Sequence, residues 1–335
     1  MTIELSMALG GRDVTDALRE GAVEPDGIDL TTVSLHPSNR HRRFFSHGRF
    51  DVCEVGMASY VSSRDDPEAY PFTAIPVFTN KRFRHAYCYA NEESGVEEPA
   101  DLAGKKVGIS SWQTAANVWT RGIFAEHYGL DLTAVQWYRR KKDDVPMEVP
   151  DRYDVRKLPG KHGGDAVAER EDLIDGLLTG ELDAVMDPAG ATIRAVAESE
   201  RADFLFDDPI AEEQQYFRET GVFPPNHVVV IRDEVLEEHP WVALNVYHAF
   251  CAARDVCLDA NRSPSTNTSI TWAPLYLLEQ REVLGEDPFA YGLTEANRKA
   301  VDTFLAYSHD QGLTDERYEP AALFDESTIA RPDPA

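Results

Sequence analysis

A few residues in the sequence have the types that move protons or hold carboxylates, and each stands at the end of an apolar run. Arg84-His85 follows the run from Phe72 to Phe78 and a turn, His227 opens the run His227 to Ile231, and Glu54 closes a short run after Val52-Cys53. Histidine titrates near neutrality and so suits proton transfer, while the guanidinium fork grips a carboxylate through two parallel bonds. On this reading Arg84 anchors a carboxylate, His85 and His227 are candidate acids, and Glu54 is a candidate base. The bland reading sets a surface Arg beside a capping His, with satisfied strand ends at His227 and Glu54. The residue types alone leave both open.

Ser110-Ser111-Trp112-Gln113-Thr114 joins a strand to a helix. Amides at a helix N-terminus with hydroxyls nearby suit a carboxylate, although simple capping needs only one of the hydroxyls. Trp112 or Trp119 could stack on an aromatic ring, but helical spacing points Trp119 to the core. Arg12, beside the Gly10-Gly11 turn, is a further cation for an anionic ligand, and Arg121 is expected on an outer helix face. His36, His41 and His47 lack the i, i+4 pattern with a carboxylate, and Arg40, Arg42 and Arg43 beside them repel a cation, so no metal is expected. Gly10-Gly11 and Gly163-Gly164 lie in no phosphate-loop context, so no nucleotide site is expected.

Strands and helices in alternation must position these residues. Strands are expected at Ile3–Leu9, Ile28–Ser34, the run ending at Val55, Phe72–Phe78, Arg84–Tyr89, 106–110, Asp183–Met186 and His227–Ile231. Helices are expected around Arg40–His47, over Gln113–Tyr128 with Ala115, Val118, Trp119, Gly122 and Ile123 on one face, and over Trp241–Leu258. The pattern is that of α/β layers with largely parallel sheets, in which ligands bind beyond the strand C-termini. Attention falls on Gly10–Asp13, Glu54–Ser59, Phe78–His85 and Ser110–Thr114.

The whole chain sets the setting. Its 335 residues hold 59 Asp+Glu against 33 Lys+Arg, a net charge of -26, with 42% hydrophobic residues. That much apolar material excludes an acidic disordered chain. A polyanionic surface excludes nucleic acid as a partner, and no apolar run reaches the length of a membrane span. The basic residues divide into 8 Lys and 25 Arg, and a Lys-poor acidic surface suits a salt-rich cytosol where surface charges are screened. The start Met1-Thr2-Ile3-Glu4-Leu5 has no basic segment before an apolar one, so a cytoplasmic protein is expected. Cys53, Cys88, Cys251 and Cys257 show no paired or metal spacing and read as small core residues.

Several stretches together resemble the 4,5-dihydroxyphthalate decarboxylase family. They include Ala8-Leu9-Gly10, Phe50-Asp51-Val52 with Glu54, Ala74-Ile75-Pro76-Val77-Phe78 before Phe83-Arg84-His85, and Val118-Trp119-Thr120-Arg121-Gly122-Ile123. In the second half come Gly180-Glu181-Leu182-Asp183-Ala184, Thr220-Gly221-Val222-Phe223-Pro224 and His227-Val228-Val229-Val230-Ile231. The resemblance runs from residue 3 to residue 324. It implies a type II periplasmic-binding-protein-like α/β fold, with two lobes joined by crossing strands and a central ligand cleft. Lobe one would be residues 1–91 and 222–335 and lobe two 92–221, with crossings at Arg84–Asn91 and before His227.

The resemblance also implies decarboxylation of an aromatic acid without a cofactor, as in conversion of 4,5-dihydroxyphthalate to protocatechuate and CO2. Such chemistry makes the ring itself hold charge: protonation of the carbon bearing the carboxylate, stabilised by a para hydroxyl, precedes loss of CO2. The partner is then a small aromatic carboxylate. The rival expectation is a solute-binding protein of ABC-transporter type for an aromatic or other carboxylate. Ring substituents and subunit number stay open, a homo-oligomer included.

Overall fold

The computed structural model describes residues 2–160, 166–262 and 269–329; Gly163-Gly164 lies outside them. The chain forms two compact units, one of Met1–Lys81, Thr220–Thr303 and Tyr318–Ala335, the other of Arg82–Glu219 and Phe304–Arg317. The unit boundaries therefore fall before Arg82 and Thr220, and residues 304–317 belong with the second unit instead of the first. Packing explains the last point. Phe304 and Tyr307 pack against Trp119, tilted and edge-on, with ring centroids at 5.2 and 5.7 Å, and the Gln311 side chain accepts a hydrogen bond from Arg121 Nε at 2.7 Å.

The chain opens with β1 (Ile3–Leu9), β2 (Ile28–Ser34), β3 (Val52–Gly56) and β4 (Phe72–Lys81). It continues through β5 (Cys88–Asn91), β6 (Lys106–Ile109), β7 (Gln136–Arg139), β8 (Asp154–Lys157), β9 (Ala184–Met186) and β10 (Ala202–Phe204), and returns in β11 (Pro225–Arg232). The first sheet has the order β2-β1-β3-β11-β4 and the second β10-β5-β9-β6-β7-β8. Both are mixed, where the alternation predicts largely parallel sheets. β11 runs antiparallel to both its neighbours, and so does β5, because each enters its unit after the chain has crossed from the other. The expected strand over Arg84–Tyr89 is divided: His85–Tyr87 is a 3-10 turn and β5 starts at Cys88.

β3 reads Val-Cys-Glu-Val-Gly with every residue buried, as expected of a strand covered on both faces. One side of the first sheet packs Leu5, Met7, Val52, Ile75 and Val229 against Val246, Tyr247 and Phe250 of the helix Val242–Arg262. The helix Pro37–His47 starts with Pro at its first position, where the missing N–H costs nothing, and ends at Gly48 in the left-handed region. Its buried residues are Arg40, His41 and Phe44. Among the described residues no helix is long and apolar enough to cross a membrane. All four cysteines are unbridged, three of them buried and Cys257 half-buried.

Candidate active site

Glu54 interrupts the apolar run of β3, and the first unit is built around its carboxylate. Oε2 accepts the Gly10 amide at 2.6 Å just past the end of β1. A Cβ at Gly10 would sit 3.1 Å from that oxygen, so the close approach calls for glycine. Oε1 forms an ion pair with Arg40, 3.0 Å from its Nη2, and accepts from Arg12 Nε at 3.4 Å and from the His227 Nδ1. Arg40, itself without solvent exposure, also donates from Nε to the Glu54 carbonyl at 2.7 Å and from Nη1 to the Leu35 carbonyl at 2.8 Å. His227 lies where the pairing of β11 with β4 slips register on both sides of it, an irregularity that redirects a side chain. On β3 it pairs with Gly56, and its ring meets that of His41 edge-on at 5.7 Å.

One carboxylate facing two guanidiniums settles the charge states. Burial alone would push the Glu54 carboxyl up, but Arg40, the His227 hydrogen bond and Arg12 together hold it well below its usual range. His227 goes down to about 3: burial disfavours its cation, Arg12 and Arg40 add to that, and the pull of Glu54 does not compensate. The imidazole is therefore neutral. An ionised carboxylate only accepts, so Nδ1 carries the proton and Nε2 the lone pair. Nε2 has no hydrogen-bond partner among the described residues, and the side chain is 13% exposed. Glu54 itself has no exposure and both its oxygens are taken. It accepts from His227 Nδ1; the sequence reading offered it as a candidate base.

Arg84 and His85 belong to the second unit. His85 is fully buried with Tyr128, Phe206 and Tyr216 around it at 5.8, 5.4 and 5.5 Å. Burial, then His127, lowers it to about 4. Arg84 is buried as well, its guanidinium 5.4 Å from the Tyr87 ring centroid. Neither side chain is exposed, and Arg84 Nε and both ring nitrogens of His85 are buried without a hydrogen-bond partner among the described residues. Glu213 accepts the Ala86 amide at 3.1 Å and so fixes the turn that carries His85.

The 110–114 turn is also engaged within the second unit. Trp112 is fully buried, with the Arg121 guanidinium 3.8 Å from its ring centroid and its Nε1 donating to the Gln311 carbonyl. The Gln113 amide group binds Val145 in both directions, and its backbone N–H donates to Asp143 at 2.8 Å. Asp143 thus engages the amide two residues before the helix Ala115–Tyr128, and no side chain caps that helix at Thr114. The Ser111 and Thr114 hydroxyls bond each other at 2.9 Å, and Ser110 is half-buried.

No protein-family model matches the chain. Over 334 residues it is 30% identical to the 4,5-dihydroxyphthalate decarboxylase of Comamonas testosteroni, covering 98% of both chains. The chain belongs to the 4,5-dihydroxyphthalate decarboxylase family. A second protein of that name, from Pseudomonas putida, is 32% identical over 216 residues, 64% of this chain and 82% of that one. The periplasmic aliphatic sulphonate binding protein SsuA from Escherichia coli has the same fold at 11% identity, with a TM-score of 0.55 over 98% of this chain and 99% of that one. The architecture of this decarboxylase-family chain is thus periplasmic-binding-protein-like.

Of the residues singled out in sequence, the fold brings Arg12, Glu54 and His227 into one group. Sequence reasoning missed Arg40 and His41, which it treated only as repelling or failing to bind a metal. The signal was present as Arg40, His41 and Phe44 at i, i+1 and i+4, the inner stripe of a helix whose remaining residues are mostly polar.

Proposed function

We propose that this chain decarboxylates 4,5-dihydroxyphthalate or a close aromatic analogue to protocatechuate and CO2, in a salt-rich cytosol, with His227 as the proton-transfer residue. The observation that carries the assignment is the neutral His227, held by Glu54 through Nδ1 and presenting an unpartnered Nε2. The partly exposed Arg12 offers its guanidinium to a substrate carboxylate. Two negative charges beside Arg12 offset the two arginines that keep His227 neutral, so the imidazole takes up a proton when substrate arrives. It passes that proton to the ring carbon bearing the carboxylate. A C–H bond forms, the C–C bond to the carboxylate breaks, and its electron pair restores aromaticity as CO2 leaves.

Incubation with 4,5-dihydroxyphthalate in molar salt, with CO2 and protocatechuate as readouts, tests this. Wild type should turn over, and His227→Ala should lose about 10²- to 10⁴-fold in kcat, the range of general acid–base catalysis. Turnover retained in His227→Ala but lost in His85→Phe would overturn the assignment of His227. Tight binding without turnover in wild type would favour a solute-binding protein, the alternative that its fold relatives suggest.

A further inference from the structure

The first unit carries an apolar face that its own core does not cover. Residues 269–278 contain no Asp, Glu, Lys or Arg, in a chain where 27% of residues are charged. Within the helix Ala273–Leu284 and at its cap, Trp272, Leu275, Tyr276 and Leu278 are 63, 64, 55 and 64% exposed, and no residue of the helix is buried. Trp272, Leu275 and Tyr276 stand at i, i+3 and i+4 and form one stripe, which Leu278 widens. A three-turn helix gains little stability from its own hydrogen bonds and depends on covering such a stripe. Natural surfaces with this much acid do not leave an uncharged aromatic and aliphatic patch without a use.

We infer that this stripe is the contact face of a homodimer, covered by the same stripe of a second copy. The area fits: the four side chains expose roughly 500 Å² per copy, so a pair would bury roughly 1,000 Å², the threshold for a specific interface. Charge favours a copy over other partners. A basic protein would be drawn to the acidic surface elsewhere, whereas two copies of net charge -26 meet with least repulsion where neither carries charge. An isologous contact whose two-fold axis runs perpendicular to the helix at Leu275 sets the two helices antiparallel. Glu279 and Glu282, about one and two turns further along, then lie at opposite rims in water.

Light scattering after size-exclusion chromatography, run on the full chain at low and molar KCl, tests the inference. Wild type should have twice the mass of a Leu275→Glu/Leu278→Glu double variant. Both positions are exposed, so the variant should keep the wild-type circular dichroism and unfolding temperature. In a Leu275→Cys variant, oxidation should link two chains, because the two-fold brings the positions together. Equal masses for wild type and the folded double variant would overturn the proposal. So would a monomeric wild type that floats with lipid vesicles, which would make the stripe a membrane face.

Discussion

A carboxylate with no exposure in the middle of an all-buried strand survives only if cations and hydrogen bonds replace its water, and Glu54 has the Gly10 amide, Arg12, Arg40 and His227 for that. Stability should follow the protons. The folded His227 sits at about 3 against 6.5 for the free group, so below 6.5 the unfolded chain binds a proton that the native one refuses. Its contribution is fully present above 6.5 and is lost as pH falls toward 3. The depressed Glu54 acts in the same direction but only below its ordinary value of 4.5. Denaturant titrations between pH 6.5 and 4.5 should therefore show His227→Asn losing less stability than wild type, and parallel curves would contradict the neutral imidazole. Glu54 and His227 were legible because each is a lone polar residue in an apolar run. Arg40 was not, because nothing local tells a helical arginine that its partner lies 14 residues on, in the next strand.

The helix Ala115–Tyr128 shows how far elements can be read. Its expected inner face, Ala115, Val118, Trp119, Gly122 and Ile123, is buried as the 3.6-residue spacing predicts. Arg121, expected on the outer face, is buried too, because the other side is covered by groups from a segment 190 residues later, where Gln311 accepts from its Nε. Local periodicity finds the first covered face and is blind to a second one supplied from far along the chain. Gly122 records that contact. A Cβ there would overlap Cδ2 of Tyr307, with the ring fixed against Trp119 and its hydroxyl bonded to Glu126. Gly122→Ala should thus destabilise the chain by about 1–3 kcal/mol, the cost of overpacking, despite alanine's better helix propensity. An unchanged denaturation midpoint would mean that Tyr307 moves aside freely. The strand irregularity at His227 and the division of Arg84–Asn91 were invisible for the same reason: both depend on which strand lies alongside.

For the molecule as a whole, 59 acidic groups against 33 basic ones form a self-repelling charge set that unfolding relaxes. Raising KCl to about 1 M shortens the Debye length to about 3 Å and removes most of that repulsion between surface groups. The Arg40–Glu54 contact has no exposure and is screened far less, so the site's local field persists while the global field collapses. A net charge of -26 is therefore compatible with an anionic substrate in strong salt. Approach of an anion is repelled in dilute buffer, but in strong salt only charges within a few ångströms act on it. The unfolding temperature should accordingly rise with KCl. Salt also strengthens apolar burial, so the source of the rise needs separating. Replacing the exposed Glu92, Glu97 and Glu237 with Gln removes charge and leaves the core untouched. If repulsion dominates, the triple variant should unfold at a higher temperature than wild type in low salt, and the two curves should converge as KCl increases. A constant offset, or none at any salt concentration, would shift the cause of salt stabilisation to apolar burial and remove the argument for a high-salt solvent.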